Sequence, residues 1–519
     1  MRLRGLSVIL SLSFMIIVAG SFSSSRTSAQ PDQATYVYHQ ITNLTEGSGY
    51  LGFPVLSADA STAVFSDAPG TQDPASPNRI YTIGADGSGM TEVDSYVPLC
   101  YCNAIVDISN DGSAVVSSDS VQIRLAGPAG MVPLITLTSN EITAVVITGD
   151  GRTVFFLVRR DAAVAESGVP VPRGIWAIDA SGSNLKQVIA AEAIAATAGV
   201  LPEQTGCCFH GDGHPLDISS DGGQIVFGAF AGTGEHVFTA DGNGENLTIV
   251  REHVNSVVRV AMSGDGTTAA YDVIPIETNI NEVGVVSTGG GEPTTMTGVP
   301  YGGYDEPIQL SDDGSLLLVS PFGLLFDTVT GDAETLAVSI PNVGGAHEAV
   351  LTDGLARGTM DATGKTFLYA MRTVRCADCA NLQEQLAVMR IDPSDVGEAP
   401  LVDASITPSS IGLNGASAAT AEATVDSDDN VLGVGFSALL NGLVDPNVGN
   451  GAVLLDDGAN GDISAGDNTF TAGAIAHAPI VERHPDTGPR TVRIAAEVET
   501  NDGMRHATAI NASTLTVEA

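Results

Sequence analysis

The chain has almost no lysine. Lys186 and Lys365 are the only two in 519 residues, and all basic side chains number 21 against 61 acidic ones, a formal net charge of −40. Nucleic acid and anionic membranes are therefore poor partners, because a phosphate surface needs a basic stripe to displace its counterions. Aromatic residues are also scarce, 5% of the chain with a single tryptophan, Trp176. After residue 20 no apolar run approaches the roughly 20 residues that a membrane-inserted helix needs. What is present is 43% hydrophobic residues, enough for a packed core and too much for a disordered chain. The 59 glycines and 25 prolines indicate many turns.

The first residues read as an address. Arg2 and Arg4 precede an apolar run from Leu6 to Gly20, and Thr27-Ser-Ala29 supplies a small-x-small cleavage motif. That order is expected of a secretory signal peptide over residues 1–29. The run is too short to span a bilayer, so the expected product is exported and soluble, extracellular or periplasmic, and begins at Gln30. Losing Arg2, Arg4 and Arg26 leaves 18 basic against 61 acidic residues, a net −43.

A repeat occupies residues 30–400. An apolar strand, a four-residue polar turn and a second apolar strand recur seven times, with turns at 57–60 (SADA), 109–112 (SNDG), 148–151 (TGDG), 219–222 (SSDG), 263–266 (SGDG), 311–314 (SDDG) and 361–364 (DATG). Asp-Gly between β-rich runs is a hairpin signal, because glycine accepts the positive φ of the turn. A second turn type follows each of these, as in ADGSG at 85–89, ASGSN at 180–184 and DGNGEN at 241–246. Two hairpins per unit make four strands, and seven four-stranded units at this spacing predict a seven-bladed β-propeller.

The succession of a Ser-x-Asp-Gly turn, an apolar strand and a segment such as Arg79-Ile-Tyr-Thr-Ile83 or Gly174-Ile-Trp-Ala-Ile178 resembles the TolB-like, WD-repeat-like propeller module of periplasmic and secreted bacterial proteins. The resemblance covers residues from about 31 to 400. It implies the fold closely and function only broadly, since such propellers serve as protein-binding platforms, carbohydrate-binding surfaces or appendages of peptidases. The segment Thr35–Thr42 is expected to supply the outer strand of the last blade.

If the Asp-Gly hairpins share one face, the remaining connections lie on the other. That second face is expected to receive 96–104, 199–215, 253–259, 301–307, 344–358 and 372–383, and with them all six cysteines: Cys100, Cys102, Cys207, Cys208, Cys376 and Cys379. In an exported protein these predict disulfides of undetermined pairing. The rival reading is a zinc or copper site, since His210 and His214 lie beside Cys207-Cys208. The same face is expected to carry His253, Tyr301, Tyr304, Asp305, Glu306, His347 and Glu348 at the channel mouth, as ligand-binding groups or as wet loop residues. No Gly-x-Ser-x-Gly elbow, His-Glu-x-x-His motif, Walker loop or dinucleotide-binding loop occurs.

After Pro400 the pattern changes. Residues 401–519 alternate as short strands between turns, which predicts a small β-sandwich, and Leu401–Gly412 resembles the entry to bacterial Ig-like or fibronectin-like modules. Within it, Asp456, Asn460, Asp462 and Asp467 sit in a twelve-residue Asp/Gly stretch that partly fits a calcium loop, although Gly458 replaces an expected oxygen ligand. Calcium and a plain acidic turn both remain open. The function expected is a secreted, non-enzymatic binding protein whose loop face engages a protein or cell-surface glycan, with the sandwich as spacer or adhesion module. The alternatives are an extracellular hydrolase or lyase at the channel mouth, or a structural surface or matrix component.

Overall fold

The structure, a computed structural model of the chain, describes residues 37–42, 44, 48–69, 77–96, 105–127, 130–207, 215–275, 282–297, 308–319, 324–331, 333–335, 356–374, 382–390, 401–426, 431–440, 443–444, 448, 453–456, 469–477, 489–500, 505–507 and 514–518. Its described residues are all-β apart from one short α-helix and brief 3₁₀ turns. Ser48–Leu56, Thr62–Pro69, Asn78–Gly84 and Thr91–Tyr96 form an antiparallel four-stranded sheet with strands in sequence order. The sheets that begin at Ile105, Ile142 and Ile308 repeat that order. Ala356–Met360, Thr366–Val374 and Leu382–Arg390 form a further unit, whose fourth strand is Val37–Gln40 from the other end of the chain.

The turn chemistry explains why these sequences fold alike. In six turns the first hydroxyl donates to the Asp Oδ1, for example Ser57 to Asp59 at 2.7 Å, Thr148 to Asp150 at 2.8 Å and Ser311 to Asp313 at 2.8 Å. The same hydroxyl accepts the N–H five residues on, as with Ser109 and Ala114 at 3.0 Å. The seventh turn, Asp361-Ala-Thr-Gly364, exchanges the two groups: Asp361 accepts the Lys365 N–H at 2.9 Å, and Thr363 supplies the hydroxyl. The closing residue has φ between 66° and 71° wherever it is glycine, and Ala60 of the first turn holds the same left-handed conformation at 57°.

These seven turns are tied to one another in a closed cycle of backbone hydrogen bonds. Asp59 N–H donates to Asn110 O, Asn110 to Gly149, Gly149 to Ser220, and Ser220 to Gly264, at 2.7–3.1 Å. Asp265 then donates to Asp312, Asp312 to Ala362, and Ala362 to Ala58, at 2.8–3.0 Å. The second turn of a unit bonds the first turn of the same unit, as Ala180 N–H to Arg152 O at 2.7 Å, so both hairpin types share one face.

Between neighbouring sheets the faces are apolar. Val64 and Ile80 of the first pack on Val106, Ile108 and Val115 of the second, while Phe65 on the opposite face packs on Leu368 and Leu386 of the unit that contains Val37–Gln40. The scarce arginines reinforce the seams. Arg251 holds Glu282 through two contacts, at 2.8 and 3.3 Å, and Arg124 holds Asp119 at 2.6 Å and Asp94 at 3.6 Å. Arg259 and Asp272, each 1% exposed, form an ion pair at 3.4 Å.

One expected loop is strand. Residues 253–259, read as a connection between units, belong to the 15-residue strand Thr248–Met262, which pairs first with Gly234–Asp241 and then with Thr268–Pro275. Its run Val254-Asn-Ser-Val-Val-Arg-Val260 is β-branched enough to stay extended. Bulges near Val254–Ser256 and Val257–Arg259 redirect it from the outside of one unit to the inside of the next. The helix Ala191–Ala198 was not foreseen either. It is alanine-rich and ends on Gly199 at φ 68°.

In the tail, Leu401–Thr407, Ala418–Asp426 and Thr469–Ala476 form one sheet, and Val431–Leu440, Arg490–Thr500 and Thr514–Glu518 lie in a second. Their inward residues, among them Ala421, Val425, Ile475, Phe436, Ile494 and Leu515, make one core.

A Cβ on Gly112 would sit 2.6 Å from the Thr62 side chain, at a φ of 70° that disfavours any L-residue. Gly112→Ala is expected to cost about 1–3 kcal/mol by urea unfolding. Gly127, which has nothing within 4 Å, should tolerate alanine within about 0.5 kcal/mol.

Candidate functional site

Most residues singled out from the sequence lie outside the described part of the chain: Tyr301, Tyr304, Asp305, Glu306, His347, Glu348, Cys100, Cys102, Cys208, Cys376, Cys379, Asn460, Asp462 and Asp467. Residues 1–29 do as well. His253 lies within the strand Thr248–Met262 and Cys207 ends the strand Thr205–Cys207, with only their backbones described. Asp456, half-buried, follows the strand Val453–Leu454.

The described chemistry concentrates on the axis of the ring. Each unit's innermost strand is an edge, and its axial N–H groups have no ladder partner. In four units the residue two before the turn's first residue supplies one. Asp107 accepts the Ile147 N–H of the next unit at 2.8 Å, and Asp217 accepts the Met262 N–H at 2.7 Å. Gln309 exchanges two bonds with Met360, at 2.7 and 2.9 Å, and Thr359 accepts the Leu56 N–H at 3.1 Å. In the three other units the equivalent residue is Val55, Val146 or Ala261, which cannot accept. After Val55 and Val146 the next unit's aspartate takes up its own neighbour's N–H: Asp107 that of Ile108 and Asp217 that of Ile218, both at 2.9 Å. Each aspartate therefore satisfies two orphan donors, one per oxygen.

The two carboxylates lie within each other's field. Both keep some solvent contact along the axis while protein surrounds them. Burial pushes the Asp107 carboxyl up to about 6 against the pull of its two N–H bonds. Burial pushes Asp217 up to about 7, with the charge of Asp107 adding to the shift. The exposed turn aspartates go the other way: the Ser113 N–H and hydroxyl, with the Ser109 hydroxyl, lower Asp111 to about 2. Near-neutral carboxylates could move protons, but here both oxygens of each already accept backbone N–H groups, so the arrangement is built first to seal the seams.

Sequence reasoning missed this pair, although a signal exists. Asp-Ile-Ser-x-Asp-Gly occurs at 107–112 and again at 217–222, and its first carboxylate interrupts an otherwise apolar strand at a fixed offset from the turn.

On the opposite face, a small hollow of about 20 Å³ lies between Leu157, Ile175, Ala191, Ile194 and Phe227, with Arg173 beside them. Arg173 donates to Pro202 O at 2.7 Å, which links the 159–173 excursion to the segment after the helix. Val169 and Leu201 on these two excursions are 48% and 58% exposed. Among the described residues, no three His, Cys, Asp or Glu side chains group as metal ligands, and no helix is long and apolar enough to cross a membrane.

No family model matches the chain, and no curated protein does. Solved structures similar to it include TolB from Acinetobacter baumannii, at 14% identity and a TM-score of 0.33, over 51% of this chain and 64% of that one. The chain thus spans under two thirds of that relative's length. A putative TolB from Agrobacterium tumefaciens matches at 14% identity and a TM-score of 0.32, covering 54% and 95% of the two chains. Hydrazine synthase from Kuenenia stuttgartiensis matches at 14% and 0.37, covering 63% and 94%. What decides the fold is the chain's own sequential four-stranded sheets and closed cycle of turns. The fold is a β-propeller. None of these likenesses bears on what the propeller binds.

The axial pair has a pH consequence with a definite sign. A carboxyl whose folded pKa is raised binds its proton more tightly when folded, so its contribution falls as pH rises from about 4 to the folded values of about 6 and 7. Wild-type protein is expected to gain on the order of 2 kcal/mol between pH 8 and pH 5. Asp217→Asn should flatten that dependence, read from urea midpoints across the range.

Proposed function

We propose that the chain is an exported, non-enzymatic binding protein: a seven-bladed propeller over residues 30–400 that engages a protein or cell-surface glycan through its loop face, followed by a β-sandwich over 401–519. The observation that carries this reading is that the described polar groups on the axis are engaged in holding the ring together, while the loop face carries excursions that the ring does not need. The hairpin of Ala162–Ala163 with Pro170–Val171 and the helix Ala191–Ala198 both stand there, with Val169 and Leu201 exposed. We read Val169 and Leu201, on neighbouring excursions of one face, as part of the contact surface. The cycle of seven turns supports the blade count. The two tail sheets packed on one core support the sandwich, which fits a spacer or adhesion module. The Ser-rich leader with its cleavage motif supports export, and six cysteines in an exported chain fit disulfides.

A second reading, a hydrolase or lyase at the channel mouth, has one observation in its favour: the two axial carboxylates titrate near neutrality. The same preparation separates the two readings. Mature protein is immobilised and probed with glycan arrays and purified envelope fractions, beside a Val169→Asp/Leu201→Asp variant. Saturable binding that the variant weakens about tenfold or more is expected. Turnover of a polysaccharide or peptide substrate that is lost in Asp217→Asn would contradict the binding reading.

The acidic stretch Asp456–Asp467 is proposed to hold calcium through Asp456, Asn460, Asp462 and Asp467, at the modest affinity that suffices outside cells. Millimolar calcium is expected to raise the melting temperature of wild type by a few degrees. It should leave Asp456→Ala/Asp467→Ala unmoved; an equal rise in both would remove the site.

A further inference from the structure

The strand that closes the ring, Val37–Gln40, is short and comes from the end of the chain opposite its neighbours. On one side it pairs with Leu382–Arg390 through Val37↔Arg390, Tyr38↔Met389, His39↔Val388 and Gln40↔Ala387. Just beyond it the seam is held by the buried Gln385, whose side-chain oxygen accepts from Thr42 Oγ1 and from the Leu44 N–H, both at 2.9 Å, while its Nε2 donates to Leu44 O at 3.0 Å. Closing the ring this way does not remove the open edge; it moves it one strand outward. An outermost four-residue strand with an uncovered row of N–H and C=O groups is the weakest link a sheet can have.

In this chain that row is covered. Tyr38 pairs with Ala507 and His39 with His506 of the tail strand Arg505–Ala507. That strand is held in turn by Glu497, Val498 and Glu499 of Arg490–Thr500. A single sheet therefore runs from Ala356–Met360 through the closing strand into the tail, ending at Val431–Leu440 and Leu443–Val444.

We propose that residues 401–519 are a clamp on ring closure, in which the tail strand Arg505–Ala507 covers the free edge of the closing strand Val37–Gln40. This inference does not depend on what the loop face binds. It gives the tail a role that a spacer lacks. The N-terminal strand is held between two segments from the far end of the chain, so the ring and the tail stabilise each other, and a load on the tail reaches the link at which the ring opens. The covered edge is also withheld from pairing with other chains.

Full-length protein carrying His506→Pro/Ala507→Pro, which removes two strand N–H groups, is compared with wild type by amide hydrogen exchange. Exchange at residues 37–42 is expected to accelerate at least tenfold, with Val154–Val158 in a distant sheet unchanged. Unaltered exchange at 37–42, in a variant whose amides at 497–499 have become fast, overturns the clamp. Because two prolines could unfold the whole tail, a second preparation carries a protease site between Arg390 and Leu401, cut after folding. The cut tail is expected to stay with the ring on gel filtration, or to leave it with exchange at 37–42 accelerated. A tail that separates while exchange at 37–42 stays slow overturns the proposal.

Discussion

The cycle of backbone hydrogen bonds from turn to turn is the constraint on which the rest depends. A bond such as Asn110 N–H to Gly149 O joins two units only if both turns have the same shape, height and orientation. That requirement explains why the hydroxyl and carboxylate recur at fixed places, and why a left-handed residue closes every turn. It also explains the glycines at 149 and 264. A Cβ on Gly264 would fall 1.4 Å from the Asp312 carboxylate, and one on Gly149 would fall 2.5 Å from the Asn110 amide. The cycle holds the units so close to the axis that a neighbour's side chain occupies the place where a Cβ would stand.

The same closeness dictates the axial chemistry. Innermost strands packed this tightly present N–H groups that neither a ladder nor bulk water can satisfy, and an unmet buried donor costs about 1–3 kcal/mol. Asp107, Asp217, Gln309 and Thr359 are the answer, one acceptor reaching to the following unit each time. Acidity in this chain therefore has more than one meaning. Turn carboxylates such as Asp111 are held ionised by hydroxyls and N–H groups, the axial ones are pushed toward protonation, and Arg124 stands between the carboxylates of Asp94 and Asp119.

Much of the fold was legible because its grammar is local. A Ser-x-Asp-Gly turn followed by a β-branched run carries its own hairpin, and its recurrence carries the ring. Even the aberrant Asp361-Ala-Thr-Gly364 kept both chemical groups in exchanged order. The misses were non-local. Residues 253–259 read locally as a connection between units, whereas bulges let one strand serve two. The aspartates at 107 and 217 passed unnoticed because their partners, Ile147 and Met262, lie 40 and 45 residues away. The pairing of Tyr38 with Ala507 spans nearly the whole chain, and no turn signal announces it.

The central claim is that the seven turns form one closed, mutually supported cycle, and hydrogen exchange at the amides of Asp59, Asn110, Gly149, Ser220, Asp265, Asp312 and Ala362 tests it most directly. These amides stand at turn tips, where an isolated hairpin would exchange within seconds. A closed cycle predicts strong protection at all seven, lost together as denaturant opens the ring. Protection at some with free exchange at others, or loss one turn at a time, would contradict it.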